Sequence, residues 1–355
     1  MKVIIVLAFF FVALSAVQGK KVFLDNFNKG TFDPSDPDSP YFYFPFSATE
    51  FADDGVIEYG NSFVVERAFP FTLTTPQGPA GGLDHVKTLQ YLKESFDPGN
   101  NCTLLYSLRV SGKTQGTENH PFGAAAVTND QDDIRLAGSA MNMLDARTWI
   151  VADFFISNEG VWAFYERLPF GKGTPELGNY RAFSSTKRVA DRSSPNEIHN
   201  LRIDYDRGLG EIRWYVDNDE VLVVDNIGVP SPNPDVKLIL DHGGIDTTVD
   251  PLGFQVGFGL FTLLDMADPN NPTVNEGLVK ISDLPGFYAY PTNFVDELSL
   301  DGSRLWGQGA QISLYKLKVE YKGNDCVDVP SSRSSSSSSA SSSSRSSSSS
   351  SEEDD

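Results

Sequence analysis

The chain reads as an all-β protein, a sandwich or a barrel, and three observations say so. Apolar and β-branched residues recur at period two through many short runs. Gly, Asn, Asp and Pro clusters separate those runs. Helical stripes are scarce. Only the stretch LDHVKTLQYLKESF (83–96) nearly fits one, through Leu83, Val86, Leu89, Leu92 and Phe96. It also presents His85, Lys87, Leu89 and Tyr91 as one strand face, and its neighbours favour the strand.

The two ends stand apart from the rest. Met1-Lys2 precedes an apolar run from Val3 to Val17, with small residues at Ala16 and Gly19. This is the pattern of a secretory signal peptide over 1–19, cleaved after Gly19; an uncleaved anchor is the alternative. No later run is long and apolar enough to cross a bilayer. Ser331–Ser351 is almost pure serine, broken by Arg333, Ala340 and Arg345, and Glu352, Glu353, Asp354 and Asp355 follow. The stretch 330–355 offers nothing to bury and is expected to be disordered. The stretch between, 20–329, suffices for one β domain with long loops.

The net charge of −20 argues against nucleic acid and against anionic membrane surfaces. It suits a secreted, extracellular protein. Cys102 and Cys326 are the two cysteines; in an oxidising compartment one disulfide is the economical reading, two free thiols the other. Asn101-Cys102-Thr103 is a glycosylation sequon at Asn101. His85, His120, His199 and His242 lack metal-ligand spacing, so no metal site or cofactor is assigned.

In chain order, Lys21–Phe27 reads as an edge strand. The loop 31–40 brings Asp33, Asp36 and Asp38 together, either as a solvated loop or as a structural calcium site. The aromatic stretch 41–51 is interrupted by Pro45, and 55–75 holds two short strands around Gly60-Asn61. A strand follows over 101–112, and 128–148 reads as a loop with a short helix.

The run WIVADFFISNEGVWAFYERLPF (149–170) is the most aromatic in the chain and reads as a β-hairpin turning at Ser157-Asn158-Glu159-Gly160, where Gly160 can supply a positive φ. A strand over 178–190 comes next. The best pattern follows: His199, Leu201, Ile203 and Tyr205 share one face, then Ile212, Trp214 and Val216, then the strand VLVVD, a three-strand meander with one buried face. Further strands fall in 254–265 and 277–284, and a long one over 309–323.

Three segments, DNFNKG (25–30), HNLRIDYDRGLGEIRWYVDNDEVLVVD (199–225) and AQISLYKLKVEY (310–321), together resemble the concanavalin A-like lectin and glucanase superfamily, in particular its laminarinase-like glycoside hydrolases. The resemblance implies a jelly-roll β-sandwich. Those hydrolases carry a Glu-x-Asp-x-(x)-Glu strand, because retaining chemistry needs two carboxyls ~5–5.5 Å apart. Here the matching strand is Val151-Ala152-Asp153-Phe154-Phe155-Ile156, and only Asp153 keeps its carboxylate. The resemblance therefore disfavours hydrolysis. The blocks LDHVKTLQYL, HPFGAAA, FYERLPFG, FGLFTLLDM and NEGLVKIS are also similar to an uncharacterised, largely bacterial family, which implies no activity.

Whether Glu166 rebuilds a pair with Asp153 depends on the length of the loop between their strands. A three-residue loop ending in a bulge glycine sets Asp153 against Tyr165 and turns Glu166 to the other face; a two- or four-residue loop puts both acids on one face. The expected site is a concave, aromatic-lined face bearing Asp153, Tyr165, Glu166 and Arg167, with Trp149, Trp162 and Tyr165 as a stacking platform for a sugar and His120 on a contacting loop. Each has a structural alternative: Asp153 as a buried acceptor, Glu166-Arg167 as an ion pair, the rings as core, His120 as a surface turn. His242-Gly243-Gly244 resembles part of an oxyanion motif, without a nucleophile elbow.

The functional expectation is a non-catalytic binder of carbohydrate or another extracellular ligand. Two alternatives stand beside it. One is an acidic matrix or mineral-associated protein whose tail, phosphorylated at Ser350 and Ser351, takes calcium or a mineral face; the other is an enzyme of unrecognised mechanism.

Overall fold

The computed structural model describes residues 20–27, 37–43, 55–59, 64–68, 85–268, 271, 273–280, 285–290, 292–293, 305–323 and 326. The expected signal peptide, Asp33, Asp36, Pro45 and the serine-rich tail lie outside the described residues. Among the described residues no helix is long and apolar enough to cross a membrane, and no three His, Cys, Asp or Glu side chains gather as for a metal.

Nineteen strands are described: β1 (Lys20–Asp25), β2 (Tyr41–Tyr43), β3 (Gly55–Tyr59), β4 (Val64–Ala68), β5 (His85–Leu92), β6 (Thr103–Gln115), β7 (Gly138–Asp145), β8 (Ile150–Ile156), β9 (Gly160–Arg167), β10 (Phe183–Asp191), β11 (His199–Asp206), β12 (Glu211–Val216), β13 (Asp219–Val224), β14 (Lys237–Asp241), β15 (Gln255–Thr262), β16 (Val274–Asn275), β17 (Val279–Lys280), β18 (Thr292–Asn293) and β19 (Gly309–Lys322). One antiparallel sheet runs β13-β12-β11-β6-β19-β4-β3. Its β1 pairs with the second half of β19 while β4 takes the first half. The other runs β16-β14-β10-β9-β8-β7-β15-β5-β2, and β17 and β18 form a small parallel pair.

The two large sheets pack face to face. Tyr106, Ile203, Trp214 and Leu317 of the first sheet share a core with Met141, Phe154, Tyr165 and Phe258 of the second. This is the sandwich that the alternating strands and the jelly-roll resemblance predict. Removing a large apolar side chain from water contributes about 1.5–3 kcal/mol, and Trp214, with no exposed surface, is the bulkiest of the set. Its indole N–H donates to the Asp153 carbonyl over 3.0 Å, fixing the distance between the sheets at β8.

The sheets differ on their outer sides. On the first sheet β12 alternates between half-exposed and buried residues, as a strand with one wet face must. On the second, β7 and β8 are buried throughout. Leu89, Leu144, Val151, Phe155, Phe164, Phe261 and Met266 form a second apolar layer on its outer face. Burial on both faces makes the β8 sequence a continuous apolar run rather than an alternating one.

The hairpin, the meander, the edge strand and the long closing strand match their expectations. The expected loop and helix over 128–148 is corrected: β7 occupies its second half, because Asn142 finds Asp153 and Asp145 finds Thr148 within a buried strand that propensity does not register. The strand β14 had no forecast. Cys102 and Cys326 are bonded, 224 residues apart in sequence.

Candidate functional site

The hairpin of β8 and β9 sets the register of everything near the site. Its turn is tight. The Ser157 N–H donates to the Gly160 carbonyl (3.0 Å), and the Gly160 N–H donates back to Ser157 Oγ (2.9 Å). Gly160 is absent from the left-handed region that the turn was expected to require. It is needed for space instead, since a Cβ there would run into Asp132 Oδ1 and crowd Arg188 and Trp162. Asn158 is buried and bound to β6: its Oδ1 accepts from the Thr114 N–H (2.8 Å) and its Nδ2 donates to the Thr114 carbonyl (3.1 Å).

With that turn Asp153 pairs with Phe164 and Val151 with Glu166. Asp153 and Glu166 therefore stand on the same face of adjacent strands. The bulged three-residue loop, which would have parted them, is not formed, because tertiary hydrogen bonds to Thr114 choose the shorter turn. Both acids are sealed beneath the second apolar layer, each 4 % exposed. Asp153 accepts from Asn142 Nδ2 (2.7 Å) and from the Met143 N–H (3.0 Å). Burial pushes its carboxyl up to about 8, partly offset by those two hydrogen bonds. Glu166 accepts from Ser184 Oγ over 2.8 Å.

Tyr165 and Arg167 are also placed away from an open face. Tyr165 lies on the opposite side of β9 from Glu166, in the core between the sheets, and its hydroxyl accepts from the Gly228 N–H (2.7 Å). Arg167 shares that inner side, so adjacent Glu166 and Arg167 point to opposite faces and form no pair, as the two-residue period of a strand demands. Arg167 is 1 % exposed. It donates to the carbonyls of Gly228 (3.3 Å) and Thr247 (2.7 Å) and lies 3.9 Å from the Tyr180 ring centre. Burial lowers its pKa. Trp149 holds a left-handed φ of 61° and packs edge-on against Phe170. His120 stacks on Phe122 in its turn. The expectation that Asp153, Tyr165, Glu166 and Arg167 line a groove is thus corrected: an apolar layer covers one side of β9, and the inter-sheet core the other.

Trp162 behaves differently. It lines an open groove of about 320 Å³ on the outer side of the second sheet, at the tip of the hairpin. Arg188 of β10 is its strand partner, and Thr186 and Lys237 face each other across β10 and β14; all three line the groove. The loop before β7 adds Asn129, Asp132, Asp133 and Arg135, and Glu276 closes the far wall.

Hydrogen bonds and ion pairs make the groove rigid. Asp132 is its hub: Oδ1 accepts from Trp162 Nε1 (3.0 Å) and Ser157 Oγ (2.5 Å), and Oδ2 pairs with Arg188 Nε (2.5 Å). Arg135 pairs with Asp133 (2.6 Å) and Lys237 with Glu276 (3.0 Å). Three acids and three bases line the groove, so it is balanced on a chain of net charge −20. Sequence reasoning named Trp162 alone of this set. The other five charged positions and Asp132 come from segments distant in sequence, with no spacing that could have joined them.

Several known proteins are similar to this chain. An uncharacterized protein, L829, of Acanthamoeba polyphaga mimivirus is 31% identical in an alignment of 274 residues that covers 62% of this chain and 62% of that one. The chain thus spans less than two thirds of that relative's length. Among solved structures, an endo-1,3-beta-glucanase from Streptomyces sioyaensis is similar with a TM-score of 0.43 and 12% identity, covering 86% of this chain and 97% of that one. The catalytic domain of a laminarinase from Thermotoga petrophila gives 0.42 and 11%, over 87% and 99%. The carbohydrate recognition domain of Emp47p gives 0.38 and 7%, over 85% and 94%. The profile of one family matches residues 24–323, and by that match the chain belongs to the family of unknown function DUF6081.

Proposed function

We propose that this protein is a secreted, non-catalytic binder of a neutral carbohydrate, and that the Trp162 groove is its site. The observation that carries the reading is one half-buried indole in a groove whose charges cancel. An aromatic surface suits the C–H face of a sugar ring, while fixed carboxylate, amide and guanidinium groups suit its hydroxyls. A charged ligand would leave one set of these groups opposed. Secretion is supported by the basic, apolar, small-residue order of residues 1–19 and by the Cys102–Cys326 bond. The absence of catalysis is supported by Val151 and Phe155, which take the alternate positions on either side of Asp153.

The test is a glycan array followed by calorimetry with the neutral oligosaccharides it selects. Trp162→Ala is expected to weaken binding at least about tenfold, ~1.4 kcal/mol. An array without neutral hits, or binding unaffected by Trp162→Ala, removes the proposal.

One observation favours a second reading, an enzyme built on Asp153 and Glu166. The two acids share a face, and burial raises Asp153 into the range of a general acid at neutral pH. Polysaccharide turnover that Glu166→Gln abolishes would replace the first reading with this one.

A further inference from the structure

The outer face of the first sheet carries a second groove, of about 380 Å³, on the opposite sheet from Trp162. Arg109, Arg202, Lys316 and Lys318 line it together with Glu320, a surplus of three positive charges (four cations less one carboxylate) on a chain of net charge −20. Lys318 pairs with Glu320 (2.7 Å), and Arg202 with the neighbouring Asp204 (2.9 Å). Arg109 and Lys316 are exposed and have no carboxylate partner among the described residues.

A bulge in β19 creates this arrangement. Leu314 pairs with Val110 and Lys316 with Arg109, so Tyr315 is one residue more than β6 can match. Before the bulge Ala310, Ile312 and Leu314 face the core; after it Leu317, Val319 and Tyr321 do. An unbroken strand would keep the first parity and aim Lys316 and Lys318 inward. The extra residue turns both outward. It also leaves Tyr315 beside Arg109, whose guanidinium carbon lies 5.4 Å from the ring centre, while that of Arg202 lies 3.8 Å from the Tyr215 ring centre. Aromatic rings thus hold both guanidinium groups.

The register sorts the groove into two rows. Lys316, Arg109 and Asn200 form the first, and Lys318, Ser107 and Arg202 the second, two residues or about 6.8 Å further along. In the first row Lys316 and Arg109 stand directly opposite, their Cβ atoms about 5 Å apart, and like charges so placed repel. An anion between them removes that repulsion. A sulfate ester has three terminal oxygens and can meet both cations, whereas the two oxygens of a carboxylate are filled by one guanidinium fork. Ser107, Asn200 and Asn218 supply uncharged hydrogen-bonding groups between the cations, suited to sugar hydroxyls. Glu320 and Asp204 oppose a ligand charged at every unit, such as a nucleic acid, and the net charge of −20 repels a plane of anionic lipid.

We propose that this groove binds a sulfated polysaccharide, with one sulfate between Arg109 and Lys316 and a second against Arg202 and Lys318. The site is independent of the Trp162 groove and stands whether or not that groove takes a neutral sugar.

The test uses the full chain and fluorescein-labelled dextran sulfate, titrated at 0.15 M salt and followed by anisotropy. Saturable binding is expected, weakening as salt rises. Combining Arg109→Glu with Lys316→Glu should weaken it at least about tenfold, because both cations of the first row are lost. Combining Lys113→Glu with Lys322→Glu makes the same change in net charge on exposed strand positions outside the groove, and should weaken binding by less than about threefold, as a screened, non-local charge effect. Circular dichroism reports the fold of both variants. Absence of binding by the unaltered chain, or equal losses in the two variants, overturns the proposal. So does binding of polygalacturonate, of duplex DNA or of phosphatidylserine vesicles as tight as that of dextran sulfate.

Discussion

Trp162 is held by Asp132: the indole N–H donates to Oδ1 over 3.0 Å, and the same oxygen accepts from Ser157 Oγ while Oδ2 pairs with Arg188. One side chain thus ties the hairpin turn, the neighbouring strand and the loop before β7 into the wall of a groove. Asp132→Ala is expected to lower stability by about 1–3 kcal/mol, since it strips partners from Trp162 and Ser157. Chemical denaturation measures this, and carbohydrate binding should fall with it by about tenfold. If stability falls and binding does not, Asp132 does not position Trp162.

Gly160 gives an independent probe of the same corner. A methyl group there meets Asp132 Oδ1, Trp162 Nε1 and Arg188 Nε. The backbone angle is compatible with alanine, so strain from φ plays no part. Gly160→Ala is expected to shift the Trp162 environment, seen as a change in tryptophan fluorescence, and to cost about 1–3 kcal/mol as an overpacked site. An unchanged spectrum would mean that the corner yields without moving the indole.

Asp153 predicts a pH dependence whose sign is fixed by its raised pKa. The folded protein holds this proton to about 8, whereas the unfolded chain releases it near 3.9. Asp153 therefore favours the fold fully below the unfolded value. Its contribution falls as pH rises, by about 1.4 kcal/mol per unit across that window, and is gone above the folded value. Asp153→Asn should flatten this slope. The Asn142 Oδ1, which has no partner beside Asp153, can turn to accept from the new amide. Thermal unfolding from pH 4 to pH 8 distinguishes the cases: parallel curves for the two proteins would refute the assignment.

The Cys102–Cys326 bond closes a loop with a sequence separation of 224. Its removal by paired alanine substitutions should destabilise the fold by about 2–5 kcal/mol, the upper part of that range following from the loop length. Denaturant midpoints with and without the bond measure it. A loss below ~1 kcal/mol would mean that β1 and β6 hold the closing strand β19 without help.

Glu166→Gln should leave carbohydrate binding unchanged and lower stability by about 1 kcal/mol, because its carboxylate meets Ser184 inside a sealed layer. Calorimetry and urea unfolding on the same sample separate the two effects.

The composition and the period of the sequence determined much of this. Two-residue alternation in β11 and β12 marked Leu201, Ile203, Ile212 and Trp214 as core before any coordinate, because a strand with one wet face sorts its side chains by parity. The hairpin was equally legible, and so was the lack of a carboxylate at Val151 and Phe155. Only the tertiary structure decided which face was open. β8 is apolar at both parities, so nothing local could say that a second layer covers Asp153 and Glu166. Whether those acids share a face turned on one loop length, which Asn158 settles through Thr114 on a different sheet. The groove at Trp162 draws Asp132, Arg188, Lys237 and Glu276 from four separate stretches. Proximity across strands is a property of register, and register is fixed by packing, which single-residue preferences do not encode.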